Sequence, residues 1–339
     1  MMGKRKQVLS AMQPTGNLHL GRYFGAIKNW VDLQQEYDCI YGIVDYHAMT
    51  MPFNPLTLKD QTWSLVYDLI AVGVKTENIF IQSMIPEHTE LAWVFNCLSS
   101  YGEVSRMTQF KDKSQQINEK DKDAFISAGL FTYPILQAAD ILIYRADYVP
   151  VGKDQDQHLE LSRNIAARFN QLVGKEYFVL PEVLYTEFPK VMSTAEPTKK
   201  MSASLGPKHH INLFSEPDVI RKQIKTAVTD SGDTPAGQLS EGVINLLSLL
   251  SASGAKDMSA ALKQEALEGK LQYGKLKEAL AEQIVSMATP YREKRISVNE
   301  NAPEYQEQVR NSSAQIRKQA QKTMVEVKDL IGLMNVKAF

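Results

Sequence analysis

Cysteine is nearly absent: Cys39 and Cys97 are the only two. Two thiols so far apart build neither a CxxC zinc site nor a disulfide framework, so a reducing, cytoplasmic compartment is expected. Net charge is equally scarce. Lys+Arg 38 against Asp+Glu 39 leaves −1, so no global field draws the chain onto nucleic acid and any such binding must come from a local patch. Long apolar runs are missing too. The longest membrane-like uncharged run, Phe125 to Ala139, contains Pro134 and is too short for a membrane span. The basic start Met1-Met2-Gly3-Lys4-Arg5-Lys6 leads into a stretch too short and polar for a signal-peptide core. Gly 18 and Pro 14 are too few for a linker-rich or fibrous chain, and no internal repeat stands out.

What is present is an ordinary globular composition, 44% hydrophobic and 23% charged. A length of 339 residues exceeds the roughly 250–300 at which single cores stop growing, so two domains are expected. Val8-Leu9-Ser10-Ala11 reads as a strand. Leu20, Phe24, Ile27 and Val31 mark one face of a helix. The run Cys39 to Val44 suits a strand covered on both faces, a helix follows through Leu65, Leu69 and Val72, and Ile79-Phe80-Ile81 is a short strand. This alternation predicts a parallel α/β sheet. Further on, the pattern predicts a helix from Glu87 to Leu98 and an exposed, Lys-rich connection from Ser105 to Lys122. A helix from Ala124 to Tyr144, interrupted near Pro134, should precede a strand at Tyr148–Val151 and a helix with Leu161, Ile165, Phe169 and Leu172 on one face. From about Leu205 strand signal fades and helical spacing dominates, as in Ile220, Ile224 and Val228. Gln306 to Lys328 holds Arg310, Arg317, Lys318, Lys322 and Lys328 against Glu307 and Glu326. It is the best candidate for an RNA-facing helix, although charge alone favours a solvated face.

Four constellations carry chemistry. Gln13-Pro14-Thr15-Gly16-Asn17-Leu18-His19-Leu20-Gly21-Arg22 lies between the first strand and the first helix, where backbone N–H groups and the helix dipole face an anion. Gly16 and Gly21 leave room for a nucleotide, and His19 can donate to a phosphate oxygen. Lys199-Lys200-Met201-Ser202-Ala203-Ser204 can clamp a triphosphate, although a KK pair is more often a solvated loop. In Gly152-Lys153-Asp154-Gln155, Gly152 permits close approach of a ribose, and Asp154 could equally be an ordinary N-cap. Tyr133, Gln137 and Asp140 share a helix face, and Asp140 sits in an apolar context. A buried carboxylate there is either satisfied by a protein donor or waits for a ligand's N–H or O–H.

In this order the motifs resemble those of the class I aminoacyl-tRNA synthetases, whose signatures look like HIGH and KMSKS. The chain is most similar to the bacterial tryptophanyl branch, through Asp45-Tyr46-His47-Ala48-Met49-Thr50, Arg106 to Ser114, Gly152 to His158, Glu196 to Met201 and Ala227 to Ser231. The resemblance covers nearly the whole chain. It implies activation of L-tryptophan with ATP and Mg2+ to the adenylate, then transfer to tRNA(Trp). It also implies a Rossmann-like catalytic domain over 1–204, with a dimer-forming insertion around 105–170, and a helical anticodon-binding region over 205–339. A homodimer is implied, with no membrane or DNA partner. His19, Gly21, Lys200, Ser202 and Ser204 would be catalytic. ATP would meet Gln13, Pro14, Thr15, Gly21, Arg22, Gly152, Lys153, Asp154, Val191 and the 200–204 loop, Met201 and Ala203 included. Asp140 would receive the indole N–H, in a pocket lined by Tyr133, Gln137, His47 and Val151; Gln109 and Lys113 would serve the pyrophosphate or the dimer contact. No protein-bound metal is implied.

Two positions depart from the signatures. Arg22 replaces the second His of HIGH and still offers a phosphate donor. Ala203 replaces the second Lys of KMSKS, which removes one clamp charge that Lys199, Lys200 or Lys208 would have to supply. The nearest rival is the tyrosyl branch, which shares the Tyr-x-x-x-Gln-x-x-Asp pattern but usually carries a Tyr on the first strand; Gln7 to Ala11 has none. A shorter nucleotidyltransferase of the same fold, or a weakened tRNA- or tryptophan-binding paralogue, are the readings of other classes.

Overall fold

The computed structural model describes residues 5–120, 125–152, 155–185, 190–230, 234–235 and 238–335, with the backbone alone at 113, 116, 118–120 and 151. Lys153, Asp154 and Ser231 therefore lie outside the described residues, as do the side chains of Lys113 and Val151.

Five strands, β1 Gln7–Met12, β2 Asp38–Ile43, β3 Ile79–Ile81, β4 Tyr148–Val151 and β5 Glu182–Tyr185, form one sheet in the order β3-β2-β1-β4-β5. All four pairings are parallel. β2 is the apolar run read from the sequence, and five of its six residues are buried. β5 has no clear sequence signal: it is a short, half-exposed edge strand, held by its ladder to β4 from Tyr148↔Glu182 to Val151↔Tyr185.

The sheet is doubly wound. From β1 the chain builds outward through β2 and β3, then returns to place β4 and β5 on the other side. β1 and β2 stay in register from Gln7↔Asp38 to Met12↔Ile43, whereas β1 meets β4 only at Val8↔Tyr148. Beyond that pair the two strands part toward their carboxyl ends. This is the topological switch point, where sheets of this kind take ligands.

The first helix runs as Leu20–Arg22, then Tyr23–Ile27 in π geometry, then Lys28–Leu33. Leu20, Phe24 and Ile27 are buried, as their spacing predicts. The helices Leu58–Ala71 and Glu87–Leu98 also stand where the sequence puts them. Three local expectations fail. Ser105 to Lys122 is not an exposed connection, because Thr108–Lys120 is a helix. It is anchored by Ile117 beside Leu130 and Tyr133 and by Phe110 against Phe131, an apolar stripe too sparse to see among so many polar residues. The helix Ala128–Leu142 is continuous through Pro134; Pro134 forgoes one backbone bond, and the buried face Leu130, Tyr133, Ile135 and Ala138 holds the turn. Leu172 and Val228 are exposed. Val228 lies past the helix Pro217–Lys225 and its N–H bonds Thr194 O at 2.8 Å.

Downstream the chain is helical: Pro217–Lys225, Glu241–Ala252, Lys256–Leu267, Tyr273–Glu300 and Ala302–Ile331. The last helix folds back over the β3 edge of the sheet. Ser313 Oγ accepts the Ile81 N–H at 3.2 Å, Arg317 pairs with Glu87 at 2.9 Å, and Lys328 pairs with Glu90. It covers an edge that would otherwise offer open backbone groups. Part of the basic excess read as RNA-facing is thus engaged inside the molecule, while Lys318 and Lys322 remain on the outer face. Among the described residues no helix is long and apolar enough to cross a membrane.

Candidate active site

A cavity of about 370 Å³ opens at the β1/β4 switch point. β1 supplies Leu9, Ser10 and Ala11; the π segment supplies Gly25 and Ala26; and β4 with its exit supplies Val149, Pro150 and Gly152. The polar wall is Gln13, His47, Gln109, Tyr133, Gln137, Asp140, Gln155 and Lys200. Seven predicted site residues (Gln13, His47, Gln109, Tyr133, Gln137, Asp140 and Lys200) therefore meet around one space, with Gly152 on its rim.

Asp140 is the deepest charge, only 3% exposed. Protein donors satisfy its carboxylate. His47 Nε2 stands 2.8 Å from Oδ2, His88 Nδ1 2.7 Å from Oδ1, and Gln82 Nε2 2.7 and 2.9 Å from the two oxygens. Burial works against the charged form, but the bonds from His47 and His88 outweigh it and hold the carboxyl down at about 2. Asp140 is thus an ionised acceptor. Of the three donors only His47 lines the cavity, so the carboxylate is gripped from behind and faces the space on one side. Sequence reasoning missed Gln82 and His88. Nothing in their local context distinguishes them from core residues.

Tyr133 hydroxyl lies 2.9 Å from His158 Nε2 and donates to Gln109 Oε1 at 3.4 Å. Burial raises its pKa, so it stays protonated. Gln137 Nε2 donates to Gln155 Oε1 at 3.4 Å. Amide and phenol groups thus line the same cavity as Asp140 and Lys200.

The His19 turn and the Lys200 loop form one unit beside the mouth. The segment after the loop pairs with the turn, since Leu20 N bonds Ile211 O at 2.9 Å and Leu213 N bonds Leu18 O at 3.0 Å. A Cβ at Gly21 would lie 3.0 Å from His19 Nδ1 and 3.1 Å from the Met201 Cβ, so glycine is what lets the two motifs pack. Gly16 has φ +69 and faces the Ala203 Cβ. His19 is buried, its Nδ1 has no partner, and burial followed by the Arg22, His210 and Lys200 charges lowers its pKa to about 3. It is a neutral imidazole. Arg22 donates to Thr15 Oγ1 at 3.1 Å and keeps a buried Nη1 without a partner. Buried groups left unpaired are costly, and a phosphate oxygen would satisfy either donor.

In the loop, Lys199 pairs with Glu196 at 2.9 Å while Lys200 borders the cavity. Of the two adjacent lysines, Lys200 is thus the one that reaches the cavity. Ser202 Oγ and Ser204 Oγ lie 2.8 Å apart. Val191 is buried and its carbonyl accepts the Met201 N–H at 3.0 Å, so it fixes the loop through its backbone. Pro14 is buried and Thr15 exposed on the first turn. His19, Gly21 and Arg22 flank the cavity and are not part of its wall.

A doubly wound parallel sheet with a His-x-Gly turn and a Lys-Met-Ser loop packed against each other defines a nucleotide-activating core of the class I synthetase type. The model of the family described as tRNA synthetases class I (W and Y) matches residues 2–289, and the chain belongs to that family. It is 43% identical to the tryptophan–tRNA ligase of Wolinella succinogenes, over 97% of this chain and 99% of that one. It is 44% identical to the Helicobacter pylori tryptophan–tRNA ligase, over 98% of this chain and 100% of that one. Among solved structures, the tryptophanyl-tRNA synthetase of Campylobacter jejuni complexed with ADP and tryptophan superposes with a TM-score of 0.81 and 32% identity, covering 96% of this chain and 100% of that one.

Proposed function

We propose that this chain is a tryptophan–tRNA ligase: it activates L-tryptophan with ATP, releasing pyrophosphate, and transfers the aminoacyl group to tRNA(Trp). The observation that carries the reading is the ionised Asp140 on the wall of the cavity, held there by His47 and His88. Indole N–H is a donor only, and an ionised carboxylate is an acceptor only. Leu9, Ser10 and Ala11 are the first-strand residues on the cavity, and none offers a phenol to meet a tyrosine hydroxyl. That, with relatives that are tryptophan–tRNA ligases, favours tryptophan over the tyrosyl alternative.

Activation joins two ligands, the amino-acid carboxylate attacking the α-phosphorus as pyrophosphate leaves, so the protein supplies position and charge and no nucleophile. Asp140 and His47 would fix the indole end, and Tyr133 and Gln137 would face the α-amino group side. Gln109 and Lys113 serve the pyrophosphate end or the dimer contact. His19 would donate a neutral N–H to phosphate as charge builds, with Arg22 and Lys200 as cations and Ser202 and Ser204 as hydroxyl donors. Thr15, Gly21 and Gly152, with Lys153 and Asp154, would hold nucleotide and ribose. Mg2+ would enter with the nucleotide, on its phosphates.

Residues 1–204 would form the catalytic domain and 205–339 the anticodon-binding region. A homodimer is supported by apolar surface near the 105–170 segment: Trp93, Tyr101 and Phe125 are exposed, with Tyr101 against Phe131. Sedimentation should give twice the mass of the 339-residue chain; a monomer at all concentrations would remove that part. A cytoplasmic location fits the free thiols Cys39 and Cys97. The test of the whole is ATP-dependent charging of tRNA(Trp) with labelled tryptophan. No acid-precipitable product with pure enzyme and cognate tRNA would refute it.

A further inference from the structure

Behind Asp140, on the side away from the cavity, lies His88, fully buried on the helix Glu87–Leu98. Its two ring nitrogens point at two different polar groups: Nδ1 is 2.7 Å from Asp140 Oδ1 and Nε2 is 2.7 Å from the Tyr144 hydroxyl. An ionised carboxylate only accepts, so Nδ1 carries the proton it donates. The other nitrogen, Nε2, meets the Tyr144 hydroxyl, a phenol that burial keeps protonated. The ring plane is fixed as well. Phe80 of β3 stacks on it at 5.4 Å and 16°, and Phe80 is seated there because Gly42 has no Cβ, which would stand 2.7 Å from the Phe80 ring. The C-terminal helix braces the back: Gln319 Nε2 donates to the Tyr144 carbonyl at 2.7 Å, and Arg317 pairs with Glu87, the neighbour of His88.

A buried histidine with two partners is most often a satisfied core residue. Here one partner is the Asp140 carboxylate on the cavity wall, and the other, the Tyr144 hydroxyl, holds the far nitrogen of the ring. We propose that His88, clamped by Tyr144, is a positioning residue for substrate selection: it orients Asp140 so that the site recognises tryptophan through its indole N–H. The proposal rests on the reading of Asp140 as the indole partner. His88 does not line the cavity, so it acts only through Asp140.

The test pairs a side-chain change with a substrate change. Steady-state ATP–pyrophosphate exchange is measured with tryptophan and with its benzothiophene isostere, in which sulfur replaces the indole N–H. In His88→Leu, kcat/KM for tryptophan should fall about 30-fold, mainly through KM, while that for the isostere changes less than about 3-fold. His88→Asn keeps an N–H donor where Nδ1 stands and should recover tryptophan use to within about 5-fold of the wild type. Tyr144→Phe should shift the same ratio in the same direction by about 5-fold. If His88→Leu does not fold, His88→Asn and Tyr144→Phe decide the matter. Equal losses for both substrates, or a fall in kcat with KM unchanged, would make His88 a core residue and overturn the proposal. A wild-type enzyme that does not exchange with tryptophan at all would instead refute the assigned activity on which the proposal stands.

Discussion

At the scale of single residues, the decisive feature is a carboxylate that is fully gripped by protein and still borders a cavity. Asp140 accepts from His47, His88 and Gln82, so its geometry is set before any ligand arrives, and an incoming N–H meets an acceptor already in place. Asp140→Asn turns part of that acceptor into a donor facing donors. Tryptophan activation should drop by about 100-fold or more, equivalent to roughly 3 kcal/mol, with circular dichroism unchanged; normal tryptophan kinetics in the folded mutant would contradict the assignment. Asp140 was legible as a candidate because a charge in the run Ala138–Ile143 stands out. Its partner His88 was not, because the two lie 52 residues apart and meet only in the fold.

At the scale of elements, the site is two short motifs seated on a parallel sheet. The first strand, the His19 turn and the helix Glu87–Leu98 could be read from apolar spacing and turn residues, because burial repeats with the period of the element. The helix Thr108–Lys120 and strand β5 could not, because few of their residues face the core and long-range contacts decide their conformation. The Lys199-Lys200 pair shows the same limit. As sequence the two lysines are equivalent; in the fold Lys199 pairs with Glu196 and Lys200 borders the cavity. Lys200→Ala should lower the exchange rate by about 100-fold, whereas Lys199→Ala, which loses an exposed ion pair, should change it less than about 3-fold. The reverse order would relocate the clamp.

At the scale of the whole molecule, the helical region is fastened to the His19 turn. Arg295 of the helix Tyr273–Glu300 pairs with the buried Asp68 at 2.6 Å, and the Leu18 N–H reaches the same carboxylate. Burial pushes Asp68 up to about 6, against the pull of Arg295, Leu18 and Arg22. Because the folded-state value is raised, the folded chain holds this proton more tightly than the unfolded one. The group therefore favours folding as pH drops from about 6 toward 4 and loses that contribution as pH rises through 6. Arg295→Met leaves the charge unpaired and should cost about 3 kcal/mol of stability at pH 7, most of it recovered at pH 5, where Asp68 is protonated. Urea titrations at the two pH values check this; a loss of equal size at both would show that the pair is not what joins the regions.

The most direct test of substrate identity is amino-acid-dependent ATP–pyrophosphate exchange with tryptophan and tyrosine in parallel. Exchange with tryptophan alone is the predicted result, and it would also establish that Ala203 is tolerated in the loop. Exchange with tyrosine, or with neither amino acid, would contradict the role of the Asp140 cavity as the seat of the indole ring.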